Sequence, residues 1–328
     1  MTGIAWSVEP GWGLDADVFD EVDGIAVADD GEVHLFGRWP ARVQVHAPDG
    51  ALRAAWGGTG FSDRPHGLAV AGDLLWCVDA GASALVALSR SDGSVVRTLG
   101  EPGAPSDTGV DWAQPDTTSR LRTVAGGPPF NRPTDVAIAP DGTLLVADGY
   151  GNCRIHRLTP DGDLLASWGT PGSARGAFNL PHGIAIGSDG SVYVCDREND
   201  RVQVFDLDGT PTGSWEDLRL PSGVAVGPDG LVLVAEVGKP SWRRSLAHPD
   251  EEPDHPARIS VRRPDGTVVG EVGRCTGPIG EPGVLLAPHC VAVGPDGSVF
   301  VGELAAAVAA ARGLDRDLPA VQRFACSW

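Results

Sequence analysis

Three histidines share one place in a repeated pattern. His66, His182 and His289 stand in RPHGLAV, LPHGIAI and APHCVAV, each after a proline and ahead of a short β-branched run. The same run recurs three more times with another residue in the histidine's place: Asp23 in VDGIAV, Thr134 in PTDVAI and Ser222 in PSGVAV. In chain order the histidines fall in the second, fourth and sixth copies. If the copies close into a ring of six, alternate members lie about 120° apart and their inner strands line a central channel, so three imidazoles converge at one level. Three imidazoles with an open fourth position are the ligand set of a catalytic zinc site, where the metal polarises a substrate oxygen or ionises a bound water. Imidazole also suits copper, iron and nickel; zinc is the ion expected.

Chain direction selects what can join them. If an inner strand starts at the histidine level, the antiparallel second strand returns to that mouth, and the loop after it lies near the metal end. Those loops hold Arg38 in the first copy, Tyr150 in the third and Arg197 in the fourth. Arg38 and Arg197 have equivalent register, and Tyr150 lies one residue further along. Two guanidinium groups suit a small carboxylate, which they can grip in bidentate fashion, although pairing with acids at the rim is an alternative use. Tyr150 is a candidate base. His34, His46 and His156 fall within second or third strands and read as ordinary strand residues; His248 and His255 fall in an insertion and read as a solvated loop. Arg154 and Arg201 start third strands and are assigned to packing within the blade.

The unit that must position these groups is clearest at Leu180 to Phe205, LPHGIAIGSDGSVYVCDRENDRVQVF. GIAIG and SVYVCD flank a Ser-Asp-Gly turn, and RVQVF follows as a third alternating run, which makes a β-meander. One meander cannot bury both faces, so copies must pack side by side. The copies predict an all-β, six-bladed propeller with blades at about 22–57, 64–100, 132–169, 180–216, 220–273 and 287–328 in one domain. The last blade lacks a fourth strand, and residues 4–7 are expected to supply it and close the ring. Insertions are read at 101–131, 238–257 and 304–319; the last holds AAAVAAAR, which suits a brief helix. The P-x-G-[IV]-A-[VI], x-D-G and D-x-x-N-x-R-[VI] signature resembles the NHL-repeat propellers.

Composition narrows the function. In 328 residues, 45 Gly and 27 Pro favour turns over long helices. A net charge of −19 argues against nucleic acid, whose binding rests on basic side chains displacing counterions. The N-terminus lacks a secretory pattern and no run approaches the roughly 18 apolar residues of a membrane span, so no membrane association and a cytoplasmic location are expected. Six scattered cysteines without a CxxC pair read mostly as buried free thiols of a reducing compartment.

At these residues the chain resembles the peptidyl-α-hydroxyglycine α-amidating lyase family. The likeness is strongest from Arg132 to Phe205, through PTDVAIAPDGTLLVADGYGNCRI, FNLPHGIAI and DRENDRVQVF, and continues through RPHGL, APHCVAV and LFGRWP. The resemblance implies zinc on His66, His182 and His289, Tyr150 as base, and Arg38 and Arg197 in substrate handling. It implies cleavage of the C–N bond of an α-hydroxyglycine carbinolamide to an amide and glyoxylate, so the expected partner is a small carboxylate or α-hydroxy-amide substrate. No protein partner is implied. The family's structural calcium takes a carboxylate directly after the third histidine; Cys290 stands there, and hard calcium wants oxygen, so calcium is not expected. Gly151, Tyr193 and Val204 replace family cysteines, which removes its disulfides. Two other readings stay open: hydrolysis or hydration at the same metal, and a non-catalytic NHL-type interaction scaffold that keeps a metal for stability.

Overall fold

Short β-branched runs separated by Asp-Gly turns fold as hairpins because glycine alone accepts the turn's left-handed backbone at no steric cost. At Ser188-Asp189-Gly190 the Gly190 backbone has φ 83°. Gly187 N–H donates to Ser191 O at 2.8 Å, and Asp189 Oδ1 accepts from Ser191 N–H at 2.9 Å. Gly190 N–H donates back to Gly187 O, and Gly142, Gly230 and Gly297 likewise donate to the carbonyl three residues before each.

In the computed structural model, which describes residues 4–13, 19–40, 42–57, 60–112, 123, 126–127, 130–238, 256–314 and 318–328, these hairpins build six four-stranded antiparallel sheets. Blade one is Glu21–Val27, Val33–Arg38, Arg42–His46 and Leu52–Trp56; blade two is Pro65–Ala71, Leu74–Asp79, Ala84–Ser89 and Val95–Leu99. Blade three is Asp135–Ile138, Leu144–Asp148, Arg154–Leu158 and Leu164–Trp168; blade four is Pro181–Ile186, Val192–Asp196, Arg201–Phe205 and Pro211–Trp215. Blade five is Pro221–Val226, Val232–Glu236, Arg258–Arg262 and Val268–Val272. Blade six is Pro288–Val293, Val299–Glu303, Val321–Ser327 and, from the other end of the chain, Ala5–Val8. The inner strands of successive blades touch, and those of blades six and one touch as well, so the ring is closed. The chain is a six-bladed β-propeller, and the N-terminal strand completes its last blade as the sequence predicts.

Burial follows position in the blade. Second strands such as Val192–Asp196 and Val232–Glu236 are buried at every residue because neighbouring blades cover both faces. Outer strands such as Pro211–Trp215 alternate, since they lie at the rim. The core sits between blades: Leu145 and Ile155 of blade three pack with Ile184, Val194 and Phe205 of blade four. Trp56, at the end of one blade, packs under the turn at Gly93 of the next, where any β-carbon would overlap the indole.

The run AAAVAAAR is helical over Ala305–Arg312 and ends at Gly313, whose φ is 62°. Residues 239–255, with His248 and His255, lie outside the described residues, as do much of 113–129 and 315–317. Cys77, Cys153 and Cys195 are buried, Cys290 and Cys326 are half-buried and Cys275 is exposed, so half of the thiols, rather than most, are core residues; all six are free. No helix among the described residues is long and apolar enough to cross a membrane.

Closure depends on four residues pairing Ala5 with Ser327 through Val8 with Phe324. Trp6 adds an edge-to-face contact with Phe324, ring centres 5.5 Å apart. Because Trp6 is half-buried, Trp6→Ala should cost about 2 kcal/mol, less than truncating a fully buried Trp. Urea unfolding checks this; an unchanged midpoint would show that the terminal strand does not hold the ring.

Candidate functional site

The inner strands must come close enough for side chains of alternate blades to meet, and the residue after the histidine level decides that. It is glycine in four blades: Gly24, Gly67, Gly183 and Gly223. A β-carbon at Gly183 would lie 2.7 Å from Ser222 O, and one at Gly223 would lie 2.9 Å from the Cys290 Cα, so a side chain there would force adjacent strands apart. In five blades the pairing register also slips at the histidine level, as between Pro181 and Ile184 or Pro65 and Leu68. A bulge of this kind re-aims one side chain, here into the channel.

The outcome is a near-equilateral triangle of imidazoles. Ring centres of His66, His182 and His289 lie 4.7, 4.8 and 4.9 Å apart. All three are buried, and one nitrogen of each lies within 4.8 Å of the others, an arrangement that can hold a metal ion. The residues that fill the same level in the other blades hold the rings. His66 Nδ1 donates to Thr134 O at 2.5 Å and His182 Nδ1 to Ser222 O at 2.7 Å. His289 Nδ1 faces the third such residue, Asp23, whose Oδ1 lies 3.7 Å away, but makes no hydrogen bond of its own. In His66 and His182, Nδ1–H directed at a carbonyl fixes the tautomer and turns the Nε2 lone pair inward, as metal-binding histidines require. Burial first, then the neighbouring imidazoles, hold His182 and His289 well below the usual histidine range, which favours the neutral form that a metal would need. The donor set fits a borderline metal such as zinc.

The expected mouth residues converge on the same place. Tyr150 Oη lies 2.9 Å from His66 Nε2 and 3.3 Å from His182 Nε2. Arg38, Tyr150, Arg197 and His289 line one cavity of about 320 Å³. The two arginines differ. Arg38 is clamped, Nη1 to Glu21 Oε2 at 3.1 Å and Nη2 to Asp23 Oδ1 at 2.8 Å. Burial opposes its charge, but Asp23, Tyr150 and Glu21 outweigh that and raise its pKa. Arg197 is 2% exposed, its Nε has no hydrogen-bond partner, and Glu198 Oε1 lies 3.7 Å off. A buried guanidinium so incompletely satisfied is a site at which an anion can complete the hydrogen bonding.

Residues set apart from the site stay apart. His34 meets Glu32, His46 meets Gly50 O and Gln44, and His156 meets Asp148, each within its own blade. Arg201 bonds Asp196 and the Ala174 and Ala177 carbonyls, and Arg154 bonds Ser167 and Gly169 O. Sequence reading missed four contributors. Asp23 appeared only as a slot without histidine, yet it ties Arg38 to the His289 environment, and burial pushes its carboxyl up to about 7. Trp112, Arg64 and Arg132 also line the cavity. The last two share a register two residues before the histidine level, a signal available in the repeat alignment.

Residues 130–158 and 178–205 match the NHL repeat. NHL repeat-containing protein 3 of Mus musculus is 32% identical over 183 residues, which are 53% of this chain and 47% of that protein. Peptidyl-α-hydroxyglycine α-amidating lyase 1 of Drosophila melanogaster is 30% identical over 166 residues, 48% of this chain and 27% of that protein. The chain therefore spans about half, or less, of the length of these relatives. A solved gluconolactonase from Xanthomonas campestris superimposes with a TM-score of 0.59 at 16% identity, covering 95% of this chain and 88% of its own; that likeness is one of fold.

Removing Asp23 strands the buried end of Arg38 and uncovers His289. Asp23→Ala should lower stability by about 3–5 kcal/mol, the range for breaking a buried ion pair from one side. Denaturant midpoints read this, and a change within about 0.5 kcal/mol, the scatter of ordinary surface substitutions, would contradict it.

Proposed function

We infer that this propeller, which carries NHL repeats and is similar to amidating lyases, is a zinc-dependent lyase cleaving the C–N bond of an α-hydroxyglycine-like carbinolamide to an amide and glyoxylate. One observation carries the reading: the Tyr150 hydroxyl lies within hydrogen-bond reach of two of three converging imidazoles, in a cavity it shares with Arg38 and Arg197.

Zinc held by His66, His182 and His289 would supply a Lewis acid beside the substrate hydroxyl. The chain's own residues do the rest. Arg197 receives the substrate carboxylate, which supplies the hydrogen-bond acceptor its buried guanidinium lacks. Tyr150 is the base that takes the hydroxyl proton, and Arg38, fixed by Glu21 and Asp23, is the cation held beside it in the cavity. As the carbon–oxygen double bond forms, the carbon–nitrogen bond breaks, and the departing amide nitrogen takes the proton from Tyr150. No water is consumed, and Tyr150 ends in the state in which it began.

Hydrolysis at the same centre would place solvent oxygen in the product, and a scaffold would turn nothing over. The purified protein should release glyoxylate from α-hydroxyhippurate, and a strong chelator should abolish the activity until zinc is returned. Tyr150→Phe should lower kcat by about 10²–10⁴, the usual worth of a positioned base, and Arg197→Ala should act chiefly on KM. Wild-type turnover in Tyr150→Phe would overturn the mechanism.

A further inference from the structure

The three histidines occupy equivalent places in the ring, but their partners are not equivalent. At the histidine level the intervening blades carry Thr134, Ser222 and Asp23, and each faces the histidine of the blade before it. Thr134 and Ser222 offer backbone oxygens to His66 and His182. Their hydroxyls are engaged elsewhere: Thr134 Oγ1 lies 3.0 Å from Ala147 O and from Pro181 O, and Ser222 Oγ donates to Leu220 O at 3.3 Å. A hydroxyl can close on a carbonyl in this way because it donates. A carboxylate, which only accepts, must find donors.

Asp23 turns its carboxylate toward two of them. Arg38 Nη2 lies 2.8 Å from Asp23 Oδ1, and His289 Nδ1 lies 3.7 Å from the same oxygen. Asp23 is 2% exposed and His289 3%. Among the described residues, His289 Nδ1 has no hydrogen-bond partner, and apart from the Arg38 ion pair the Asp23 oxygens have none either. Leaving buried polar groups in that state is costly, and a donor facing an acceptor across 3.7 Å needs only a small side-chain rotation to satisfy both.

We propose that Asp23 is a positioning residue of the metal centre: its carboxylate accepts the Nδ1–H of His289 when the three imidazoles hold a metal, and makes His289 the strongest donor of the three. The proposal rests on the metal centre of the reading above and not on C–N cleavage. A ligating imidazole is oriented, and made more basic, by the group that its second nitrogen meets, and a charged acceptor does this more strongly than a carbonyl. The same oxygen holds Arg38, so one carboxylate fixes both a metal ligand and a cation of the cavity. Asp23 thereby sets the distance between them.

Zinc affinity of the full chain, read by competition with a chromophoric chelator, tests this. Asp23→Ala should weaken zinc binding by about 10–100-fold, the usual worth of such an outer partner. Asp23→Asn, whose amide oxygen can accept the same N–H, should weaken it by less, and it carries the test if the alanine variant does not fold. A purely structural role would lower the unfolding midpoint of the metal-free protein and leave the zinc affinity of the folded chain alone. The effect must also run through His289. In a His289→Ala background Asp23→Asn should change zinc affinity by less than about twofold, whereas in a His66→Ala background it should weaken zinc as it does in the wild type. In zinc-loaded protein with nitrogen-labelled histidine, the His289 Nδ1–H should resonate downfield of those of His66 and His182 and move upfield in Asp23→Asn while the other two stay. Wild-type zinc affinity in both Asp23 variants, or an equal loss in the His289→Ala background, overturns the proposal and leaves the metal centre standing. A chain that binds zinc no more weakly without His182 removes the metal centre and the proposal together.

Discussion

The molecule depends on how closely six inner strands approach one another at one end of the channel. Glycine after the histidine level permits it in four blades, because a β-carbon there would meet the neighbouring strand's backbone. Where the residue is larger, its side chain is absorbed between blades. Asp135 accepts N–H groups from Ile184 and Val136, and burial pushes its carboxyl up to about 7. Cys290 turns its thiol toward Val22 O. The same close approach brings the three rings within 5 Å of one another and presents a backbone carbonyl of the next blade to Nδ1 of His66 and of His182. Ring closure and site geometry are therefore one constraint: alternate blades meet only if the circle of six is complete.

Rigidity at the mouth comes from a second ring of buried acids at the ends of second strands. Asp79, Asp148, Asp196, Glu236 and Glu303 each accept a backbone N–H from the segment leading into their own inner strand, as Asp196 does from Asn179 at 2.7 Å. Desolvation raises Asp196 to about 6 and Glu303 to about 7. A folded-state pKa above the unfolded value means that the folded state binds more protons between the two, so the contribution of each group weakens as pH rises through that window. Blade one lacks such an acid: Gly37 takes the place, and Arg38 beside it is pinned by Glu21 and Asp23 instead. The exception in the scaffold thus supplies a cation to the cavity.

Much of this was legible in the sequence. The repeat, the alternate-blade histidines, the closing strand and the loops carrying Arg38, Tyr150 and Arg197 follow from strand period and chain direction alone. Sequence could not separate the two arginines, because whether a guanidinium meets an acid or a cavity depends on side-chain direction at a bulge. Asp23 was hidden for a related reason: at its register the repeat shows what a residue is not, and its contacts cross from blade one to blade six. Trp112 belongs to an insertion without a counterpart in other blades, so no alignment could place it over Arg132.

The central claim is that the three imidazoles form one metal centre, and zinc analysis joined to X-ray absorption of the bound metal tests it most directly. One zinc per chain with three imidazole nitrogens in its first shell, lost in His182→Ala, is the predicted result. A chain that binds no transition metal, or holds one equally well without His182, would contradict it.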